Sequence, residues 1–131
     1  MKENPYFKID EFKCKCCGNI PEGMPSDELI DTLVNIREHF GKPLTINSGY
    51  RCPEHNKKIG GAPSSRHTFG DAADIVVKDV KTIDVYNYVI ETFDDKPFGI
   101  AKKISKNEFG GFVHIDTRGK KARWNYPGSI M

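Results

Sequence analysis

The chain has 131 residues, of which 37% are hydrophobic and 29% are charged, and its formal net charge is +2. This length suits one domain, and this composition suits a soluble fold with a modest core. The charge is too weak to indicate a nucleic-acid partner, and no apolar run approaches the ~20 residues that cross a bilayer. We therefore expect a monomeric protein with no membrane span and no nucleic-acid partner.

The first 25 residues are predicted to form an irregular N-terminal arm, and residues 26–131 to form the domain that carries the function. Three prolines interrupt this arm, and Met1–Tyr6 lacks the apolar core of a signal peptide. We expect synthesis in the cytoplasm without a signal peptide. A substrate outside the membrane would then be reached only after release, through a phage holin or by lysis of the cell.

Three of the four cysteines crowd into the arm, and the fourth follows the first predicted strand; they are Cys14, Cys16, Cys17 and Cys52. Reduced thiols are one interpretation, since disulfides are rare in cytosolic proteins. A bridge from the arm to Cys52 is a second. A structural zinc site is a third, which ranks last because the spacing lacks two paired Cys-x-x-Cys motifs.

The rest of the chain reads as alternating helices and strands. Ser26 is a good helix N-cap, apolar residues then recur every three or four positions, and Gly41 ends the pattern. Further elements are predicted at 44–48 (strand), 53–59 (helix), 72–77 (strand), 78–93 (helix beginning at Lys78 or Asp79), 98–104 (strand) and 112–117 (strand). The last two strands form a hairpin. Together these elements predict an α+β fold, with a small antiparallel sheet and helices packed on one side.

A metal site is predicted where a polar, glycine-containing loop meets two apolar strands. His67 and Asp74 lie at the two ends of that loop, and His114 lies in the last strand of the hairpin. Imidazole and carboxylate groups are both good zinc ligands. The proposed site is one zinc ion held by His67, Asp74 and His114, with water as the fourth ligand. The alternative is a core histidine and a turn aspartate, which either segment alone would favour.

Several segments resemble the zinc D-alanyl-D-alanine carboxypeptidases and their VanY-like endolysin relatives. The matching segments are Ser65-x-His67-x-x-Gly70-x-Ala72-x-Asp74 with the later His114, Ile46–Arg51, and Gly60–Ala62. The resemblance covers roughly residues 27–118 and implies a related fold, a bound zinc ion and peptidoglycan peptides as the substrate. It also implies that Arg51 holds the substrate or the charge that develops during hydrolysis.

The general base is the part of the predicted site where this chain departs from the resembled family. Members of the resembled family place an acid three positions before the last histidine, or a histidine two positions before it, whereas this chain has Gly111 and Phe112 there. Strand alternation puts Asp116 on the face of His114, about 7 Å along the strand. Asp116 is therefore the predicted base or a group that orients a ligand, and Glu108 is the reserve. Ser65 is expected to bond within its turn or to bind substrate.

Two functions follow from these predictions. The leading one is a zinc peptidase that hydrolyses peptidoglycan stem peptides, as a carboxypeptidase or as an endopeptidase of the endolysin type. The alternative is a non-catalytic, zinc-containing module that binds the cell wall, because hedgehog signalling domains share a related fold and zinc site without acting chiefly as peptidases.

Overall fold

The structure, a computed structural model, describes residues 1–131 and contains three α-helices and five strands. The helices are α1 (Asp27–Phe40), α2 (Pro53–Lys58) and α3 (Thr82–Thr92), and the strands are β1 (Leu44–Ser48), β2 (Ala72–Val77), β3 (Gly99–Lys103), β4 (Phe112–Asp116) and β5 (Ala122–Asn125). Two short 3-10 helices cover Ile9–Phe12 and Arg66–Phe69. None of the helices combines the length and the apolar character that a membrane span requires.

Helix α1 has the ends that its sequence predicts. The Ser26 hydroxyl accepts a hydrogen bond from the Leu29 amide, and Asp27 and Glu28 occupy the positively polarised first turn. Gly41 ends the helix in the left-handed conformation at φ 62°, which favours glycine. Helix α3 begins later than predicted, because Asp79 has φ 60° and therefore cannot continue a helix.

The five strands form one sheet in the order β1-β2-β4-β3-β5. The pairs β1–β2, β2–β4 and β3–β4 are antiparallel, as predicted, and the α+β class is confirmed. The sheet is mixed rather than purely antiparallel, because β5 pairs with β3 in parallel. Gly99, at the start of β3, lies between Asp116 and Ala122, so the chain crosses the end of β3 after leaving β4.

The two faces of the sheet have different roles. Alternate residues of β2, β3 and β4 point into one hydrophobic core with α1 and α3; among them are Ile75, Ile100 and Ile115. Side chains alternate across a strand, so the intervening residues face the other way. Asp74 and His114 are such residues and lie opposite each other on paired strands. The core therefore fixes the backbone beneath the polar face.

The N-terminal arm packs onto the domain through its aromatic residues. Phe7 and Phe12 are 5% and 1% exposed and belong to the core, whereas Ile9 is 39% exposed. The Phe12 carbonyl accepts a hydrogen bond from the Tyr50 amide at 2.8 Å. Gly49 is needed at this contact, since a Cβ there would lie 2.7 Å from the Phe12 backbone.

The turn between β3 and β4 explains why position 111 has no side chain. Gly111 has φ +72°, and a Cβ built on it would collide with the carbonyl oxygen of Lys103. An acid at this position, where the resembled family often has one, cannot be accommodated with this backbone.

We predict that Gly111→Ala destabilises the protein more than Gly119→Ala does. Both glycines have positive φ, but nothing lies within 4 Å of a Cβ at Gly119. Gly119→Ala should cost only the left-handed backbone strain, about 1–2 kcal/mol. Gly111→Ala adds a backbone collision, which should cost about 1–3 kcal/mol more. Urea unfolding of both variants tests this, and equal free energies of unfolding would contradict the collision.

Candidate metal centre

His67, Asp74 and His114 converge on one point of the polar face. His67 lies in the short 3-10 helix before β2, and the other two lie on β2 and β4. Asp74 Oδ1 is 3.1 Å from His67 Nε2 and 2.9 Å from His114 Nδ1, and the two nitrogens are 3.2 Å apart. All three side chains are at least 90% buried, and their ligand atoms are placed to hold one metal ion.

The other nitrogen of each imidazole decides which atom faces this point. His67 Nδ1 lies 2.7 Å from the Gly49 carbonyl oxygen, which only accepts, so the proton is on Nδ1 and Nε2 keeps its lone pair. His114 Nε2 lies 2.7 Å from Asp116 Oδ2, which leaves the lone pair on Nδ1 in the neutral ring. Two bare nitrogens and a carboxylate oxygen then meet without a proton between them. A divalent cation resolves this clash of acceptors, so the donor set fits zinc.

The contacts within the centre shift the pKa values of Asp74 and His114. Burial opposes ionisation of Asp74, but its close contacts with the His114 and His67 imidazoles outweigh burial and hold the pKa of its carboxyl well below the usual value. Burial likewise disfavours a charged His114, and the contacts with Asp116 and Asp74 outweigh it and raise the pKa of that imidazole. Asp74 is therefore a carboxylate at neutral pH, as a metal ligand must be.

Asp116 does not lie where a metal-bound water would be. Its carboxylate contacts His114 Nε2, the nitrogen that faces away from the point of convergence. Both oxygens are also engaged by Arg118, at 2.8 Å from Nε and 2.7 Å from Nη2, and Oδ1 accepts from the Gly99 and Arg118 amides. Burial raises the pKa of this carboxyl, but Arg118 and His114 outweigh burial and lower it. The geometry thus supports the predicted orienting role and not the predicted role of general base.

Glu108, the reserve base, is also directed elsewhere. Its carboxylate is exposed and lies 3.5 Å from Nζ of Lys81, the residue that precedes α3. Its backbone carbonyl accepts a hydrogen bond from the Thr82 amide, which ties the β3–β4 turn to α3. The turn therefore packs against the start of α3. Glu108 is not among the residues that line the pocket beside His114.

An open pocket lies next to His114 and contains the predicted Arg51 and Ser65. Its lining is rich in arginine and aromatic side chains and lacks carboxylates: Arg51, Gly61, Ala62, Ser64, Ser65, Arg66, His114, Arg118, Trp124 and Tyr126. Arg66 is paired with Asp71, and Arg118 is paired with Asp116. These two cations are therefore neutralised inside the protein.

Arg51 is different, because it is buried without a carboxylate partner. It is only 9% exposed, its Nε has no hydrogen-bond partner, and its Nη2 reaches only the Ser65 hydroxyl at 3.5 Å. The Ser65 hydroxyl also accepts from the His67 amide at 3.3 Å. Ser65 thus bonds within its turn, as one of its two predicted roles requires, and it links Arg51 to a metal-site residue.

Tyr126 is the pocket residue whose importance the sequence did not indicate. The Tyr126 hydroxyl lies 3.2 Å from His114 Nδ1. Burial and the nearby Asp74 carboxylate raise the pKa of this phenol, so it stays protonated. Strand β5, which pairs with β3, carries the chain to this position. Tyr126 therefore presents a hydrogen-bond donor at the metal-facing nitrogen.

A buried His, Asp and His set at the edge of a cationic pocket defines a mononuclear metal centre of the hydrolase type. The sequence model of the family described as Peptidase M15 matches residues 5–116, and the chain belongs to this family. A segment of 44 residues is 50% identical to the zinc D-Ala-D-Ala carboxypeptidase of Streptomyces albus G. That segment is 33% of this chain and only 17% of the relative's length. The predicted family is thereby confirmed, and the His67, Asp74 and His114 group fits the predicted zinc ion.

We predict that Asp116→Asn weakens zinc binding roughly 10- to 100-fold, the usual effect of removing a group that orients a ligand. The charge that fixes the His114 tautomer is lost, while the side-chain volume is kept. Competition with a chelator gives the zinc affinity. Glu108→Gln is the matched control, since it makes the same chemical change at an exposed site and should not alter that affinity. Unchanged affinity together with a large loss of rate in Asp116→Asn would restore the role of base.

Proposed function

We propose that this protein is a zinc-dependent peptidase that removes the C-terminal residue from peptidoglycan stem peptides. The observation that carries the proposal is the unpaired, buried guanidinium of Arg51 in the pocket beside the metal centre. A buried charge without a partner is costly, so the pocket suits a ligand that brings an anion. A free C-terminal carboxylate matches the planar donors of arginine.

The side chains around the pocket divide the work of hydrolysis between them. His67, Asp74 and His114 would hold the zinc ion, which when bound supplies a polarised carbonyl and an activated water. Arg51 would bind the terminal carboxylate and so set which peptide bond lies at the metal centre. The Tyr126 hydroxyl would donate a hydrogen bond to the scissile carbonyl oxygen as negative charge develops on it. Trp124, beside Tyr126, would cover the apolar part of the terminal residue.

The relative from Streptomyces albus G supports the choice of bond. Its name describes the removal of D-alanine from a D-Ala-D-Ala end, and half of the residues are identical over a segment that covers a third of this chain. An endopeptidase, which cuts within the stem peptide or its cross-bridge, needs no group reserved for a terminal carboxylate. The unpaired Arg51 therefore favours the carboxypeptidase over the endolysin type of activity.

The proposal predicts zinc-dependent release of D-alanine from a stem pentapeptide that ends in D-Ala-D-Ala. Mass spectrometry should show the loss of one residue with the zinc-loaded protein and none after chelation or with His67→Ala. The same peptide with a C-terminal amide is the matched substrate control, and it should react at least ~10-fold more slowly, the effect of losing one hydrogen bond to a charged group. Equal rates on both peptides would exclude recognition of the terminal carboxylate, and cleavage inside the stem would indicate an endopeptidase.

We expect Arg51→Lys to lower kcat/KM by about 10- to 100-fold, because the ammonium keeps the charge but loses the planar pair of donors. Zinc content and the unfolding midpoint should stay as in the unaltered protein. Arg37→Lys is the matched control on helix α1, where the guanidinium carbon lies 4.8 Å from the centre of the Tyr6 ring. Arg37 does not line the pocket, so this variant should keep full activity. Full activity in Arg51→Lys would remove Arg51 from the substrate site.

A non-catalytic wall-binding module is the second candidate, and one observation favours it. The pocket beside His114 contains no aspartate or glutamate to accept the proton of an attacking water. A protein of this kind would bind zinc and sediment with purified cell walls, but would release no amino acid or peptide from them. The pentapeptide experiment separates the two candidates, since only the peptidase changes the mass of the substrate.

A further inference from the structure

A second group of potential metal ligands lies where the N-terminal arm meets the loop between β1 and α2. The sulfur atoms of Cys14, Cys17 and Cys52 all lie within 4.8 Å of one another. Cys14 is buried, Cys52 is partly buried, and Cys17 is exposed. Cys16 is exposed and does not belong to the group. Residues 38 positions apart in the chain are thus brought together at one point.

The backbone around these sulfurs is arranged to stabilise thiolates. The Cys52 amide donates a hydrogen bond to Cys14 Sγ at 3.4 Å. The His55 amide donates to Cys52 Sγ at 3.4 Å, at the start of α2. Amide donors to sulfur favour the thiolate, which is the form that binds metal. In a disulfide the sulfur atoms carry no negative charge, so the same amide donors would stabilise them little.

We propose that Cys14, Cys17 and Cys52 bind a structural zinc ion, the second in each chain. Zinc–sulfur bonds of ~2.3 Å in a tetrahedral arrangement place the sulfurs about 3.8 Å apart, within the observed limit. Cys14 and Cys17 have the Cys-x-x-Cys spacing of a zinc-binding turn, and Gly18 follows with φ 72°. Cys17 is exposed, so the fourth position of the site would face solvent.

A disulfide accounts for these residues less well. It would join two of the three sulfurs and leave a third thiol beside the bond, open to exchange. Zinc uses all three, keeps them in one oxidation state and needs no oxidising compartment. The structure therefore favours the interpretation that the sequence ranked last, because the missing second Cys-x-x-Cys motif is replaced by a cysteine from the loop between β1 and α2.

The site would hold in place the loop that serves the catalytic metal. That loop contains Gly49, whose carbonyl sets the tautomer of His67, and Arg51, whose amide donates to the His67 carbonyl at 3.0 Å. The arm meets the same loop through the Phe12 carbonyl and the Tyr50 amide. A zinc ion between Cys14, Cys17 and Cys52 would fasten the arm to this loop and so limit its movement.

Metal counting on the intact, reduced chain tests the proposal. Native mass spectrometry should show two zinc ions in the unaltered protein and one in His67→Ala. In the His67→Ala background, Cys17→Ser and Cys52→Ser should each remove the remaining ion, and cobalt in its place should show thiolate-to-metal charge-transfer absorption. Cys16→Ser is the matched control from the same turn and should keep that ion. The Cys17→Ser variant should also unfold at a lower urea concentration than Cys16→Ser.

Other outcomes would overturn the proposal. A single zinc in the unaltered protein, lost entirely in His67→Ala, would leave the cysteines without metal. A disulfide between Cys14 and Cys52 in the isolated protein would show that these cysteines form a bridge and do not bind zinc. An equal loss of metal in Cys16→Ser and Cys17→Ser would exclude the three-cysteine set. Because the count is also made on the unaltered chain, a variant that fails to fold does not prevent a decision.

Discussion

The mutual repulsion of three electron-rich atoms is the constraint on which the polar face depends. Two imidazole nitrogens and one carboxylate oxygen lie within 3.2 Å of one another. Each imidazole is turned so that its proton points outward, toward Gly49 in one case and Asp116 in the other. The loop after β1 and the end of β4 therefore act together, and the apolar core beneath them fixes the backbone that carries Asp74 and His114.

Much of this arrangement follows from local patterns in the sequence. The ends of α1 depend on Ser26 and Gly41, whose capping chemistry acts within one turn of helix. The metal ligands follow from a short loop, which has His67 and Asp74 at its two ends, and from strand alternation, which places His114 on the polar face. These features are decided by neighbours in the chain or by the period of a strand, so the sequence alone is sufficient to predict them.

The remaining features depend on contacts between distant segments. Alternation correctly puts Asp116 on the face of His114, but it does not say which imidazole nitrogen the carboxylate meets; Arg118 and the Gly99 amide decide that. The parallel pairing of β5 depends on where the chain crosses after β4, which no periodicity encodes. A zinc site at the cysteines ranked last in the sequence, because Cys52, the third member of the group, comes from another part of the chain.

The position of β5 separates one wall of the pocket from the part of the chain that matches the family. The residues that match the Peptidase M15 family end at Asp116, whereas Arg118, Trp124 and Tyr126 follow it and line the pocket beside His114. Strand β5, which carries Trp124, lies at the edge of the sheet and pairs only with β3. The ligand set and this wall are therefore built from separate segments, so a substitution in the wall can change what the pocket accepts without replacing a metal ligand.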